Sequence, residues 1–133
     1  MKKSILVLAA HPDDEVLGCG GAIAKYASEG SSIHVAFMSD GVFSREGDKD
    51  LKDKELLSRK EAAKAALKVL GVESISFNNF PDNKMDTVAT IEVAKTIEGI
   101  IKKHQPEIIF THHYGDVNVD HRKVHEATTV ACR

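Results

Sequence analysis

The residues with the clearest chemical potential lie near the N-terminus, in the stretch His11-Pro12-Asp13-Asp14-Glu15. An imidazole and three carboxylates within five positions attract a cation and repel a phosphate group. His11 and Asp14 are three residues apart, so both side chains can reach one point if a strand ends and a helix begins here. We therefore predict that His11 and Asp14 bind the same metal ion.

Asp120 and His121 form a second polar cluster far along the chain. With His11 and Asp14, His121 would complete a three-ligand site that leaves positions open for water and substrate, as in catalytic zinc centres. Each residue has a structural explanation when taken alone, since Asp is a common helix N-cap and a single His is often a surface residue. The combination favours a metal site, for which Zn²⁺, Fe²⁺ or another divalent ion is suitable.

The hydrophobic pattern predicts strands and helices in strict alternation. The strands are Ile5–Ala10, Ile33–Met38, Ile75–Phe80 and Ile108–Thr111, and the helices are Asp14–Ser28, Leu51–Leu70, Val88–His104 and Asp120–Cys132. This order predicts one α/β domain over residues 1–133, a Rossmann-like three-layer sandwich with a mostly parallel sheet. The stretch 42–50 is polar and predicts a mobile loop.

A polar cluster follows each predicted strand: 11–15, Asp40, Asp82 and 112–121. In open parallel sheets, ligands bind outside the carboxyl ends of the strands. We therefore expect an active site at this edge. The glycines at 18–21 do not match G-x-G-x-x-G in position or spacing, which argues against dinucleotide binding.

Composition narrows the class of protein. The formal net charge of −2 argues against a nucleic-acid partner or a membrane-surface patch, and no segment is long enough to span a bilayer. Cys19 and Cys132 form no C-x-x-C pair, which favours a reducing compartment and a cytoplasmic protein. Ala127–Arg133 contains no residue that ends a helix. We therefore expect a C-terminally truncated catalytic portion that binds metal but turns over poorly, unless a homo-oligomer covers the exposed edge.

Several motifs together resemble one family, the LmbE-like deacetylases, also called the PIG-L family of N-acetylglucosaminyl deacetylases. The segment from Ala10 to Gly21 resembles the opening motif of the family, and Asn118–His121 resembles its second motif. Arg59–Glu61 is similar to its second-helix signature, and Pro81–Asp82 matches a further position. The resemblance extends over essentially the whole chain.

This resemblance implies a zinc-dependent hydrolase that uses metal-activated water to remove an acetyl group from an N-acetylated sugar or glycoconjugate. The implied roles are His11, Asp14 and His121 as zinc ligands, Asp13 as the general base, Asp120 as a further catalytic residue supporting the site from behind, and Arg59 and Asp82 as substrate contacts. Several family members have a His where this chain has Asn118. Asn cannot take up a proton, so any general acid must be His113, Asp116 or a residue beyond Arg133.

Two alternatives remain open on the sequence alone. A non-haem iron enzyme also uses two histidines and one carboxylate, and oxygen-dependent turnover would favour it. A non-catalytic metal- or sugar-binding module is the second, and metal binding without any hydrolysis in a longer form of the chain would favour that.

Overall fold

The computed structural model describes residues 2–43 and 46–133. Within these residues the chain forms β1 (Ser4–Ala9), α1 (Asp14–Ser28), β2 (Ser32–Ser39), α2 (Lys49–Leu70), β3 (Ser74–Phe80), α3 (Thr90–His104), β4 (Ile108–Phe110) and α4 (Val119–Ala131). The predicted alternation of strands and helices is confirmed. A short 3₁₀ helix, Met85–Thr87, precedes α3, so the predicted start of that helix at Val88 is two residues early.

The sheet is parallel throughout its described strands, in the order β3-β2-β1-β4. The chain builds outward from β1 to β3 and then returns to place β4 on the other side of β1. The carboxyl ends of β1 and β4 therefore flank the point where the strand order reverses, which is where open α/β sheets bind ligands. Ile5 of β1 pairs with Ile33 of β2 on one side and with Ile108 of β4 on the other.

Helices cover both faces of the sheet because successive side chains of β1 point to opposite sides. Leu6 and Leu8 pack with Val93 and Ile97 of α3, while Ile5 and Val7 face the other way. That second face packs against Ile23 of α1 and Leu67 of α2. A strand buried on both sides accounts for the continuous apolar run in the sequence. The predicted three-layer sandwich is confirmed.

The predicted loop 42–50 includes Ser44 and Arg45, which lie outside the described residues. Val42 in the same stretch is fully buried, so the loop is anchored at its start rather than polar throughout. No helix of the described chain is long and apolar enough to cross a membrane.

Candidate metal centre

The three predicted metal ligands meet at the carboxyl ends of β1 and β4. One donor atom from each of His11, Asp14 and His121 lies within 4.8 Å of the others. Asp14 Oδ2 is 3.3 Å from His11 Nδ1 and 3.0 Å from His121 Nε2. A single carboxylate oxygen thus faces one nitrogen of each imidazole.

The other nitrogen of each ring is held by a second carboxylate. His11 Nε2 lies 2.7 Å from Asp120 Oδ2, and His121 Nδ1 lies 2.9 Å from Asp116 Oδ2. An ionised carboxylate only accepts hydrogen bonds, so these two nitrogens carry the proton. In the neutral rings, His11 Nδ1 and His121 Nε2 then present lone pairs toward Asp14.

Two lone pairs and a carboxylate oxygen converging on one point repel one another unless a cation lies between them. Metal-binding histidines usually donate their other N–H to a carboxylate, which fixes the tautomer and the ring orientation. Two imidazoles and one carboxylate are also a donor set of catalytic zinc sites. The residues present therefore fit a divalent metal.

A tight turn after β1 places His11 and Asp14 together. The amide of Asp14 donates to the carbonyl of His11 at 3.2 Å, and Asp14 Oδ2 accepts the N–H of His11 at 2.8 Å. Asp13 between them has φ 123° and ψ −28°, a conformation that costs a non-glycine residue about 1–3 kcal/mol. The surrounding hydrogen bonds stabilise this strained turn.

The N-terminus of α4 positions His121 by helix capping. Asn118 Oδ1 accepts the backbone N–H groups of Asp120 and His121, and Asn is among the most effective N-cap residues. Its Nδ2 donates to Asn83 Oδ1 at 3.3 Å. The departure at Asn118 therefore has a structural role: the residue starts the helix that carries His121, a candidate ligand.

Asp120 lies behind His11 and is fully buried. Its Oδ1 accepts the N–H of Met85, and its Oδ2 accepts the N–H of Asn83 as well as facing His11. Burial alone would raise the pKa of this carboxyl, but the hydrogen bonds from His11, Met85 and Asn83 outweigh it and lower the pKa. Asp120 is therefore ionised and holds the His11 ring in place.

His11 is strongly basic in the metal-free chain. Burial alone would lower its pKa, but hydrogen bonding and charge attraction from Asp120 and Asp14 outweigh burial and raise the pKa to about 10. A proton on His11 Nδ1 would satisfy Asp14 in the absence of metal. Metal and proton therefore compete for the same nitrogen.

Asp13 occupies the N-cap position of α1, yet among the described residues its side chain makes no capping hydrogen bond. The alternative that Asp13 serves only as a helix cap is therefore not favoured. Desolvation and repulsion from Asp14 raise the pKa of Asp13, while Arg59, His11 and His121 partly offset the increase. An exposed carboxylate of raised pKa beside the candidate metal ligands is suited to proton transfer.

A polar cavity of about 220 Å³ opens beside these side chains. Its lining comprises His11, Asp13, Gly41, Arg59, Asp82, Asn83 and Asn118. A Cβ at Gly41 would lie 3.2 Å from Arg59 Nη1 and 3.3 Å from the Cβ of His11, and the φ of 73° there favours glycine. Gly41 therefore leaves room for the guanidinium of Arg59 at this wall of the cavity.

The two predicted substrate contacts differ in their surroundings. Arg59 is partly exposed and lines the cavity. Asp82 is only 4% exposed, and its Oδ1 lies 3.3 Å from His11 Nε2. Asp82 therefore also contributes to the negative environment of His11.

The spacing of residues in the sequence did not identify His112 or the role of Asp116. His112 stacks on His121 with ring centroids 3.9 Å apart, and its Nε2 accepts the N–H of Ala10 at 2.9 Å. Burial, followed by repulsion from His121, lowers the pKa of His112 to about 4, so this ring is neutral and supports the candidate ligand His121 by packing.

Asp116, a candidate for the general acid, instead accepts a hydrogen bond from His121 Nδ1. The other candidate, His113, accepts the N–H of Gly115 through Nδ1.

Two other groups in the described part of the chain bring metal-binding side chains together: His112, Asp116 and His121, and His11, Asp82 and Asp120. The first is less suitable because the rings of His112 and His121 are nearly parallel, at 15°, so their lone pairs do not converge. In the second, both oxygens of Asp120 already accept backbone N–H groups. The group of His11, Asp14 and His121 fits a metal best.

Comparison with known proteins identifies a matching family and several relatives. The PIG-L family model, described as GlcNAc-PI de-N-acetylase, matches residues 6–132. The chain is similar to a protein of Escherichia coli K12 named uncharacterized deacetylase YaiS, with 34% identity over 99% of this chain and 69% of that protein. It is also similar to the 4-oxalmesaconate hydratase of Pseudomonas putida, with 34% identity over 90% of this chain and 48% of the hydratase.

The fold likewise matches a solved structure. The N,N'-diacetylchitobiose deacetylase of Pyrococcus horikoshii superimposes with a TM-score of 0.85 at 26% identity, covering 97% of this chain and 49% of that one. The chain therefore spans about half the length of this deacetylase and of the hydratase.

Proposed function

The chain belongs to the PIG-L family, and on that premise we propose that it carries the metal centre of a hydrolase that removes the acetyl group from an N-acetylated sugar. The observation that supports this most is the convergence of His11 Nδ1, His121 Nε2 and Asp14 Oδ2, with the opposite ring nitrogens anchored by Asp120 and Asp116. This arrangement suits zinc, and Fe²⁺ or another divalent ion is also compatible with it.

A divalent metal held by His11, Asp14 and His121 would lower the pKa of a bound water and polarise the amide carbonyl of the substrate. Asp13 lies beside the ligands, is not used as a helix cap, and has a raised pKa. We assign Asp13 the removal of a proton from the attacking water. Once protonated, Asp13 can return that proton to the leaving amine, a role that Asn118 cannot fill. This assignment replaces the expectation of His113 or Asp116 as the general acid, since those side chains are engaged by Gly115 and His121.

Asp120 and Asp116 keep the two imidazoles oriented throughout the reaction. Each accepts from the ring nitrogen that points away from Asp14, so neither is available for proton transfer to substrate. Arg59 presents a positive charge to the polar cavity, which suits hydroxyl or anionic groups of a sugar. Asp82 lines the same cavity and can accept from a hydroxyl.

A second reaction of activated water is hydration of a carbon–carbon double bond. The relative named a hydratase is 34% identical to this chain, as is the uncharacterized deacetylase YaiS. The same ligands and base could activate water for addition. The two reactions differ in product, because only deacetylation releases acetate and a free amine.

Product analysis on the purified chain tests the proposal. We expect equal amounts of acetate and free amine from N-acetylglucosamine or N,N'-diacetylchitobiose, in metal-loaded protein and without a requirement for oxygen. Asp13→Asn should retain the metal and lose on the order of 10²-fold or more in rate, while the surface control Asp86→Asn should match the parent.

Other outcomes would each refute deacetylation. Stoichiometric metal binding with no amine release, in this chain and also in one extended to the length of its relatives, would assign a non-catalytic binding module. Water addition to an unsaturated tricarboxylate such as 4-carboxy-2-hydroxymuconate would assign a hydratase, and oxygen-dependent turnover would assign a non-haem iron enzyme.

A further inference from the structure

Glu15 is a buried carboxyl in the first turn of α1 that the reaction described above does not use. It is only 2% exposed, and its Oε2 accepts the backbone N–H of Asp13 at 3.0 Å. Within the described residues, its Oε1 is buried without a hydrogen-bond partner. A buried carboxyl with an unsatisfied oxygen is unfavourable for folding, since an apolar side chain of similar shape carries no such cost.

The residue that Glu15 holds is itself in an unusual conformation. Asp13 has φ 123°, in the region that side-chain-bearing residues rarely adopt. An Asp at an N-cap normally has an extended backbone and accepts helix N–H groups with its carboxylate. Asp13 does neither, and it lines the polar cavity together with Arg59.

Glu15 acts in the direction opposite to an ordinary cap. Its side chain reaches back from the first turn to the N–H of the N-cap residue, as the acidic member of a capping box does, although Glu15 lies two residues after the N-cap rather than three. This hydrogen bond fixes the orientation of the peptide group at Asp13. The direction of the Asp13 side chain follows from that orientation, since φ is set by the same peptide plane.

We propose that Glu15 is a positioning residue whose hydrogen bond to the Asp13 amide keeps the Asp13 carboxylate in the polar cavity and away from the N-terminus of α1. Without that hydrogen bond, Asp13 relaxes to an extended backbone and its carboxylate caps the helix. The proton acceptor is then withdrawn from the attacking water while the metal ligands remain in place. The inference rests on the proposed role of Asp13 as the general base.

Two variants separate the hydrogen bond from the charge and the volume of Glu15. Glu15→Gln keeps an acceptor oxygen and the length of the side chain, whereas Glu15→Met keeps only the length. The first measurement is amide hydrogen exchange by NMR, which does not depend on activity. We expect Asp13 exchange to accelerate roughly tenfold in Glu15→Met and to stay near the parent rate in Glu15→Gln. The control is the Leu17 amide, which donates to the carbonyl of Asp13 and should change little.

The second measurement separates binding from turnover. In Glu15→Met we expect kcat to fall roughly tenfold or more, with KM and metal affinity unchanged, and Glu15→Gln should restore most of the rate. Unchanged Asp13 exchange in Glu15→Met would overturn the proposal even if no substrate were turned over. An equal fall in kcat in Glu15→Met and Glu15→Gln would overturn the proposal, because it would show that the charge of Glu15 matters rather than its hydrogen bond. A parallel loss of metal affinity would also overturn it, because it would assign Glu15 to the metal site. If the chain proves not to be a deacetylase, accelerated exchange confined to Asp13 in Glu15→Met would still support the positioning contact.

Discussion

Replacing Asp120 with Asn tests the hydrogen-bond network behind His11. The two carboxylate oxygens of Asp120 face three donors: the N–H groups of Asn83 and Met85, and Nε2 of His11. An Asn side chain has one oxygen and one NH₂ group, so at least one donor must then face another donor. The less costly orientation places the NH₂ group at the Met85 amide and keeps the oxygen toward Asn83 and His11.

The magnitude follows from these contacts. An unsatisfied buried N–H at Met85 costs about 1–3 kcal/mol, and loss of the charge weakens each of the two remaining hydrogen bonds by about 1 kcal/mol. We therefore expect the free energy of unfolding to fall by about 3–5 kcal/mol, a large part of the 5–15 kcal/mol typical of a domain. Metal affinity should fall about 10–100-fold, because a neutral amide oxygen holds the Nε2–H of His11 more weakly than the carboxylate does and makes Nδ1 a weaker ligand.

Urea unfolding of the metal-free protein and calorimetric metal titration measure the two effects separately. Asp116→Asn is the matched control, since Asp116 anchors His121 but lies nearer the surface. It should weaken metal binding with a much smaller loss of stability. If Asp120→Asn unfolded within about 1 kcal/mol of the parent and bound metal normally, the network would have no such role.

Three further predictions follow from the structure. The pKa of His11 is raised to about 10, so its contribution to metal-free stability is complete below about pH 6.5 and is lost as the pH rises toward 10. Metal binding near pH 8 should therefore release about one proton. Calorimetry in buffers of different ionisation enthalpy measures this release, and a binding enthalpy that did not depend on the buffer would contradict the prediction. Burial, followed by the charges of His104 and Lys103, lowers the pKa of His34 to about 4, so its contribution to stability should decline as the pH falls from about 6.5 toward 4; an NMR titration midpoint near 6.5 would contradict this. Gly71 ends α2 with φ 82°, and a Cβ there would lie 2.9 Å from Ala27, so Gly71→Ala should destabilise by about 1–2 kcal/mol. In contrast, Gly99→Ala, which meets nothing within 4 Å in the described chain, should stabilise by up to about 1 kcal/mol; denaturant midpoints that reverse this order would refute the reasoning.

Much of the fold follows from local patterns in the sequence. The apolar run of β1 predicts a strand buried on both faces, and the alternation of strands and helices predicts a parallel sheet. Gly71 marks the end of α2 because it adopts the left-handed conformation there. The start of α3 is predicted two residues early, at Val88, because a 3₁₀ turn at Met85–Thr87 comes shortly before the helix and the sequence pattern does not separate the two.

The residue types and their order also determine the candidate site at a coarse level. His11 and Asp14 follow β1, and His121 begins α4, so all three must lie at the edge where parallel strands end. The motif around His11, together with those at 59–61, 81–82 and 118–121, predicts the family. These inferences depend on neighbours in sequence and on a repeating strand–helix unit, which one-dimensional patterns report well.

Only the tertiary structure decides how each side chain is oriented. The roles of the ring nitrogens depend on partners far apart in sequence: His11 Nε2 faces Asp120, and Asp14 faces His121. The strained backbone of Asp13 likewise depends on the Glu15 contact and the turn after β1. A hydrogen bond has strict distance and angle requirements that sequence spacing does not encode. The sequence therefore determines which donors reach this edge, and the packing of α1 and α4 against the sheet determines which atoms face one another.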